Sequence, residues 1–470
     1  MNPCLLIYHY HYRPGGVRSV IERLLCQWAE AGRWERIVLV GGEMPEAGWL
    51  ERLRKQVGRV DVRVDARLGY RSEGAKGTVA ELATLLEQWF REFPPSLVWA
   101  HNLCVGRNAP LGEALALATA SAGMPLLSHH HDWWVQGRWG RWAEFNLTWE
   151  QAANAPLPDA PHVRHACAHP ADAALLQSFW GNRVAWVVPP APEIPPAAPS
   201  SLPPDSFWLS PCRILRRKNL LESIALTRWH RPHGQLLISG TASSAAEADY
   251  AQSVEEGARL VGLRLECGAS ARQPMPVLMR GAEMIVQSSL QEGFGLAPWE
   301  AALFHRPMLL RRLPALTTTF EQAGAALPGV YQELLLPENF LSAAEQARQL
   351  QGWQRPAAAL PEPHRSAALA LCERPGPPAF SSLTLRGQME ALSDWPRLQH
   401  ALASANPWLH HPPSTTPVTA PQWPDAGVPQ IERLLAVPTA PGSAAASSAE
   451  VQTALFHAAL PTLRQFPLLW

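Results

Sequence analysis

Two glutamates, Glu292 and Glu300, stand eight residues apart on either side of a Gly293-Phe294-Gly295 turn. The apolar run from Ala282 to Val286 just before them reads as a buried parallel strand, and Ala297 to Leu303 after them as a helix. Glycines at such a turn let the backbone bend sharply and come close to a ligand. Backbone N–H groups at the helix start, around Phe294 to Leu296, can face an anion. Both carboxylates then lie at the mouth formed by the C-terminal ends of the strands, where open α/β sheets bind ligands. A basic run, Arg213-Ile214-Leu215-Arg216-Arg217-Lys218-Asn219, follows an earlier strand, Phe207 to Leu209, in the same way. Arginine brings a fork of donors for phosphate oxygens and lysine a point charge. Arg216 and Arg217 read as added, solvated charge. Arg13-Pro14-Gly15-Gly16-Val17-Arg18 links the first strand to the first helix and again exposes N–H groups to an anion. The strand Gln235 to Ser239 ends in Gly240. These residue types imply an anion site flanked by two carboxylates and assembled without a metal.

Glu292-x7-Glu300, Arg213-x4-Lys218 and the Gly15-Gly16 loop together resemble the signature of retaining glycosyltransferases of the GT-B fold, above all glycosyltransferase family 4. The resemblance spans roughly Met1 to Ala403 and is denser in the second half. It implies an α/β chain with the GT-B fold, two Rossmann-like domains facing across a cleft. It also implies transfer of a hexose from a nucleotide-diphosphate sugar to a glycan, lipid-linked or small-molecule acceptor. Anomeric configuration would be retained, with no metal and no cofactor beyond the donor substrate. By position, Glu300 would hold the ribose hydroxyls and Glu292 would lie beside the donor sugar. Arg213 and Lys218 would clamp the diphosphate. Gly15, Gly16, Gly240, Gly293, Phe294, Gly295 and Leu296 would line the donor.

The run Ser128-His129-His130-His131-Asp132-Trp133-Trp134 ends a strand of the first half, and the resemblance makes His131 the contact to the donor sugar. Imidazole also suits zinc. Consecutive residues of a strand end face opposite ways, however, and no further ligand is obvious, so no metal is expected. Trp133 and Trp134 are the expected acceptor faces, because aromatic rings stack on sugar rings, although packing is the commoner role of any one tryptophan.

Three stretches depart from the family pattern. Val187-Val188-Pro189-Pro190-Ala191-Pro192-Glu193 stands where a Pro-Asn-Gly-Val-Asp turn is common. Phe304-His305-Arg306-Pro307 replaces a usual glycine before the proline, and Arg311-Arg312-Leu313-Pro314 lacks a Gly-Gly pair. Donor base and sugar therefore stay open, as does an acceptor from surface polysaccharide biosynthesis, a lipid-linked glycan or a small solute. Two other readings stand beside transfer. One is a GT-B-like protein of degenerate activity that binds a partner through its tail. The other is a GT-B nucleotide-sugar epimerase or hydrolase. A phosphorylase would want a pyridoxal lysine and a longer chain.

The elements that must position these residues follow an alternation of short apolar runs and amphipathic stretches, which implies parallel sheets covered on both faces. The boundaries read as a domain over 1–188, a Pro-rich linker over 189–205, a second domain over 206–385, a cross-over helix over 386–404, and a tail over 405–470. Residues 406–448 are rich in Pro, Ala, Ser and Thr and read as a disordered tether. Glu450 to Phe466 reads as a last helix. A chain of 470 residues is too long for one core. The net charge of +0 argues against a nucleic-acid partner. Peripheral contact with an anionic membrane surface stays open and would need local basic patches. No apolar run is long enough to span a bilayer. The first residues read as a buried strand rather than a signal peptide. The seven cysteines are scattered without the close spacing of metal or redox sites, which suits a reducing cytoplasm.

Overall fold

The structure, a computed structural model, describes residues 3–463 except 137, 143–147, 155–156, 192–193, 195–205, 243–244, 372–376, 424–425 and 439–445. Most of the expected linker, Cys372 and the end of the expected last helix thus lie outside the described residues. The chain divides into two compact units, Met1–Ala191 with Trp423–Ala459, and Pro192–Gln422 with Leu460–Trp470. Among the described residues no helix is long and apolar enough to cross a membrane.

The first unit alternates β1 (Cys4–Tyr8), α1 (Gly16–Glu30), β2 (Arg36–Gly41), α2 (Ala47–Val57), β3 (Val60–Val64), α3 (Val79–Glu92) and β4 (Leu97–His101). It continues through α4 (Ala109–Ser121), β5 (Leu126–His130), α5 (Trp149–Asn154), β6 (Val163–Cys167), α6 (Pro170–Trp180) and β7 (Val184–Trp186). The sheet is all parallel, in the order β3-β2-β1-β4-β5-β6-β7. Alternate residues of a strand point to opposite faces, and β1 shows the consequence. Leu6 and Tyr8 join Leu82, Leu86, Leu111 and Leu115 of α3 and α4 in one core. Leu5 and Ile7 join Ile21, Leu24 and Trp28 of α1 in the other. A strand apolar on both faces belongs to the middle of a parallel sheet. Thr78 and Glu81 close a capping box that starts α3.

His165 in β6 is fully buried, hydrogen-bonded to His130 at 2.9 Å and stacked on Trp180 at 4.5 Å. Burial, with Arg183 and Arg164 nearby, pushes its imidazole down to about 3. The folded value lies below the unfolded one, so the unfolded chain takes up the proton first. The neutral ring's contribution is complete above about pH 6.5 and is lost as pH falls toward 3. On the order of 2–3 kcal/mol should therefore disappear between pH 7 and pH 4.5 from this residue alone. Urea unfolding across that range should show a shallower pH slope for His165→Gln than for the parent chain. Equal slopes would refute this assignment.

The second unit runs β8 (Phe207–Ser210), α7 (Leu220–His230), β9 (Gln235–Ile238), α8 (Ala245–Leu260), β10 (Arg264–Cys267), α9 (Met275–Gly281) and β11 (Met284–Gln287). It continues with α10 (Leu296–Leu303), β12 (Met308–Arg311), α11 (Pro314–Gln322), β13 (Val330–Tyr331), α12 (Ala343–Ala358) and α13 (His364–Ala370). The sheet is again parallel, in the order β10-β9-β8-β11-β12-β13. Two helices then follow where one was expected: α14 (Leu385–Ser393) and α15 (Trp395–Ala405). The break has a local cause. Asp394 caps the second helix through the N–H of Arg397, and Pro396 at its start fits only a first turn. Leu392, Trp395, Leu398 and Leu402 hold both helices on the core of this second unit.

The segment whose composition suggests a tether is instead ordered over most of its length. N–H groups of Val418, Thr419 and Gln422, residues spaced between prolines, donate to carbonyls of Arg306, Ala326 and Ala323. After Gln422 the chain returns to the first unit. There α16 (Val428–Leu435) buries Val428, Ile431 and Leu434 in the same core as α1. Last, α17 (Ser448–Leu463) places Phe456 on Trp139 and Trp149, and Gln452 accepts a hydrogen bond from Trp134.

Candidate functional site

In the second unit the strand order reverses direction between β8 and β11, and the loops leaving these two strands carry the basic run and the first glutamate. Arg216–Lys218 form one tight turn, and Asn219 then takes a left-handed conformation (φ 51°) to start α7. Asn219 tolerates it because its side chain is tied down. Its Nδ2 donates to the Ser288 carbonyl at 3.2 Å, and its Oδ1 accepts from Gln388 at 3.4 Å. Ser288 Oγ lies 2.8 Å from the Asn219 carbonyl and 2.6 Å from Ser223 Oγ. The Leu290 N–H donates to the Arg217 carbonyl at 2.8 Å. These bonds stitch the two loops together, so the side chains they carry meet. Lys218 Nζ donates to both oxygens of Glu292, at 2.6 and 2.8 Å.

Gln287 donates a further bond to Glu292 at 2.9 Å, and Arg217 stands 4.0 Å away while donating to the Gln291 carbonyl. The Glu292 side chain is only 10% exposed. Burial pushes its carboxyl up, but Lys218 and Arg217 together outweigh that, and the net shift is downward. The group is therefore an ionised, oriented carboxylate held by cations. Arg217, expected to be solvated, is part of the site. Arg216 is not solvated either: it donates to Gln388 and to the Leu383 carbonyl and lies over the Tyr250 ring, a brace for the loop.

Glu300 sits in the first turns of α10, half-buried, and Arg213 is half-buried at the start of the β8 loop. Gly240 packs against Arg213: a Cβ there would meet the Arg213 Cα at 3.0 Å. Gly293 and Leu296 are half-buried, whereas Phe294 is 8% exposed and packs on Trp299 and Phe320. Phe294 is thus an apolar anchor for the turn, and any donor contact there falls to the backbone. Gly295 ends the turn at φ 84°, and a Cβ on it would come within 2.1 Å of Leu316 Cδ1. Gly295→Ala should cost about 2–4 kcal/mol, from the left-handed backbone and the clash together. Adding Leu316→Ala would relieve only the clash. Urea midpoints of the two variants check this, and full recovery in the double variant would show that the backbone is unstrained.

In the first unit the order reverses between β1 and β4. Gly15 caps α1 and Gly16 is its first residue, with no side-chain hydrogen bond capping the helix start among the described residues. Beside it an open pocket of about 200 Å³ is lined by Tyr10, His11, Arg13, Glu43, Tyr70 and Glu73. Arg13 is fixed in this pocket by bonds to Glu43 and Glu73. His131 follows β5. Its backbone N–H and that of Asp132 donate to Asn102 Oδ1, at 3.3 Å each, and Asn102 is itself left-handed (φ 64°). His131 Nε2 lies 3.0 Å from His101 Nδ1. Burial pushes the His131 imidazole down to about 4, so the ring is neutral at pH 7.

The expected acceptor faces are corrected by burial. Trp133 and Trp134 are each 1% exposed. Trp133 stacks on His130 and donates to Asp172, and Trp134 donates to Gln452 of α17, so both are core residues. Sequence reading missed Arg217, Gln287, Asn102 and His101. Arg217 stood in the quoted motif, but no pattern separates its role from that of Arg216.

No protein-family model matches the chain. It is 23% identical over 335 residues to the mannosylglucosyl-3-phosphoglycerate synthase of Petrotoga mobilis, across 66% of this chain and 65% of that protein. The match therefore falls just short of two thirds of the relative's length. Among solved structures, HepE of Anabaena in complex with UDP-glucose aligns with a TM-score of 0.51 at 16% identity, covering 85% of this chain and 99% of that one. The α/β architecture, with two parallel-sheet units, is that of the GT-B glycosyltransferase structures.

Proposed function

We propose that the protein is a retaining glycosyltransferase that moves a hexose from a nucleotide-diphosphate sugar to an acceptor. The observation that carries this reading is the Lys218–Glu292 pair at 2.6 Å, joining the two loops at the strand-order reversal of the second unit. A lysine and an arginine above the strand ends, next to helix N-termini, suit a leaving diphosphate. Arg213 and Lys218 stabilise the charge that develops as the bond from the sugar C1 to the diphosphate breaks. Glu300 holds the ribose hydroxyls, and Glu292 positions the sugar hydroxyls and aims Lys218. His131, neutral and buried, contacts the sugar and can accept or donate one hydrogen bond as positive charge grows on the ring. The acceptor hydroxyl adds to C1 on the face the diphosphate leaves, its proton passing to the departing diphosphate oxygen, which retains configuration. No metal is needed where protein cations carry the leaving-group charge.

The UDP-glucose on HepE supports a nucleotide-sugar donor. The relative's name favours a small, phosphorylated acceptor over a polymer. We infer that the acceptor lies near the pocket of Tyr10, His11 and Tyr70, whose Arg13 is shared by Glu43 and Glu73, so the acceptor's hydroxyls rather than its phosphate face these residues. Calorimetric titration with UDP, GDP, ADP and their glucose and mannose conjugates tests the reading. One nucleotide should bind in the micromolar range and fail to bind Lys218→Ala. Binding of none would replace transfer by a partner-binding role. Free sugar released without an acceptor would point to an epimerase or hydrolase.

A further inference from the structure

His101 and His129 are direct partners in the register of β4 and β5, so their side chains leave the sheet on the same face. His131, two residues beyond His129, shares that face. The expectation that neighbouring histidines cannot converge therefore holds for His130, which points the other way to His165, and fails for the other three. One nitrogen from each of His101, His129 and His131 lies within 4.8 Å of the other two. His101 and His131 are already at 3.0 Å, while about 3.3 Å separates ligand nitrogens in a tetrahedral zinc site. His129 is 1% exposed, and both of its ring nitrogens lack a hydrogen-bond partner, as does His101 Nε2. Buried polar nitrogens without partners are rare and costly. An ion that takes one His129 lone pair removes the cost of that nitrogen; at His101 it would bind through Nδ1, in place of the hydrogen bond to His131 Nε2, and leave Nε2 as it is. Trp99 lies against His101 at 4.1 Å and His129 at 5.9 Å and gives the cluster an apolar floor.

We propose that His101, His129 and His131 form a site for a divalent transition-metal ion of the zinc type, with three imidazole ligands and an open fourth position. A His-x-His pair on one strand with a third histidine from the neighbouring strand supplies three ligands to one side of an ion, and His131, the most exposed at 9%, is where the ion enters. His9, which follows β1 on the other side of β4, has an unpartnered Nδ1 and stands 6.4 Å from His101 between ring centres. It is a further imidazole beside the cluster. The site shares His131 with the sugar contact proposed above, His131 Nε2 facing the cluster, but it does not serve the leaving-group chemistry, which rests on Arg213 and Lys218.

The test uses the full chain, stripped with chelator and kept reduced, and titrated with Zn²⁺ and Co²⁺. One equivalent should bind, and the cobalt form should show visible d–d absorption without a thiolate charge-transfer band. His129→Asn and His101→Asn should each weaken binding by at least about 100-fold, whereas His130→Asn should not. Circular dichroism confirms that each variant is folded, and the two ligand variants back each other up. The proposal is overturned by the absence of a saturable equivalent, by unchanged affinity in a folded His129→Asn or His101→Asn, or by a thiolate band that assigns the ion to cysteines.

Discussion

Lys218→Ala should lower the rate of glycosyl transfer by about 10²–10³-fold, the loss typical of removing one group that stabilises developing negative charge. The fold should change far less. Glu292 keeps the bond from Gln287 at 2.9 Å, and Arg217 remains at 4.0 Å, so its carboxylate stays partnered. The stability cost is then about 1–3 kcal/mol, a few degrees in melting temperature. Steady-state rates and a thermal melt on the same preparation separate the two effects. Glu292→Gln gives the contrast: it removes the charge that aims Lys218 but leaves the lysine itself, so donor diphosphate should still bind. A Lys218→Ala chain that melts as much earlier as it slows down would reduce the lysine to a structural ion-pair partner.

The order of strands and helices was legible because parallel sheets demand long apolar strands. Runs such as Cys4–Tyr8 and Met284–Gln287 are buried along their whole length, so composition marks them directly. Helix α2 was missed although Trp49, Leu50, Leu53 and Val57 recur at helical spacing: these few apolar residues stand among charged neighbours, so no apolar run marks the segment. Prolines between 406 and 422 suggested a tether, because composition reports the missing N–H groups and not the remaining ones that pair. At the site, the motif residues were visible as types at a spacing. Their supports were not. Ser288, Ser223, Asn219 and Gln388 come from three loops and helices, and a hydrogen-bond network among distant polar residues leaves no local pattern. The histidine cluster failed for the same reason: its third member, His101, comes from the neighbouring strand, and only the register of β4 and β5 brings it in.

Arg311 shows the opposite case, a residue of a stretch that departs from the family pattern and that proves to be framework. It ends β12 fully buried and donates to Glu222 of α7 at 2.8 Å, where neither side chain has any exposure. The Tyr331 hydroxyl donates to the same oxygen at 2.8 Å, and Glu333 lies 3.3 Å from the guanidinium. Glu222→Ala should destabilise the protein by about 3–5 kcal/mol, because it takes away the fully buried carboxylate of the Arg311 guanidinium, leaving Glu333 at its edge, and leaves the Tyr331 hydroxyl without its acceptor. For a unit of this size that is roughly a 6–20 °C fall in melting temperature. The double variant Glu222→Leu with Arg311→Met should recover most of the loss, since an apolar pair of similar volume carries no desolvation penalty. Urea unfolding decides it: a Glu222→Ala midpoint equal to that of the parent, or a double variant no better than the single one, rules out a buried pair of this strength. The pair also bears on transfer. Helix α7 starts at the residue after Asn219, and β12 lies beside β11, which leads into the Glu292 loop. Loosening the pair should therefore reduce activity in step with stability, and this parallel loss distinguishes a framework residue from Lys218, where activity falls alone.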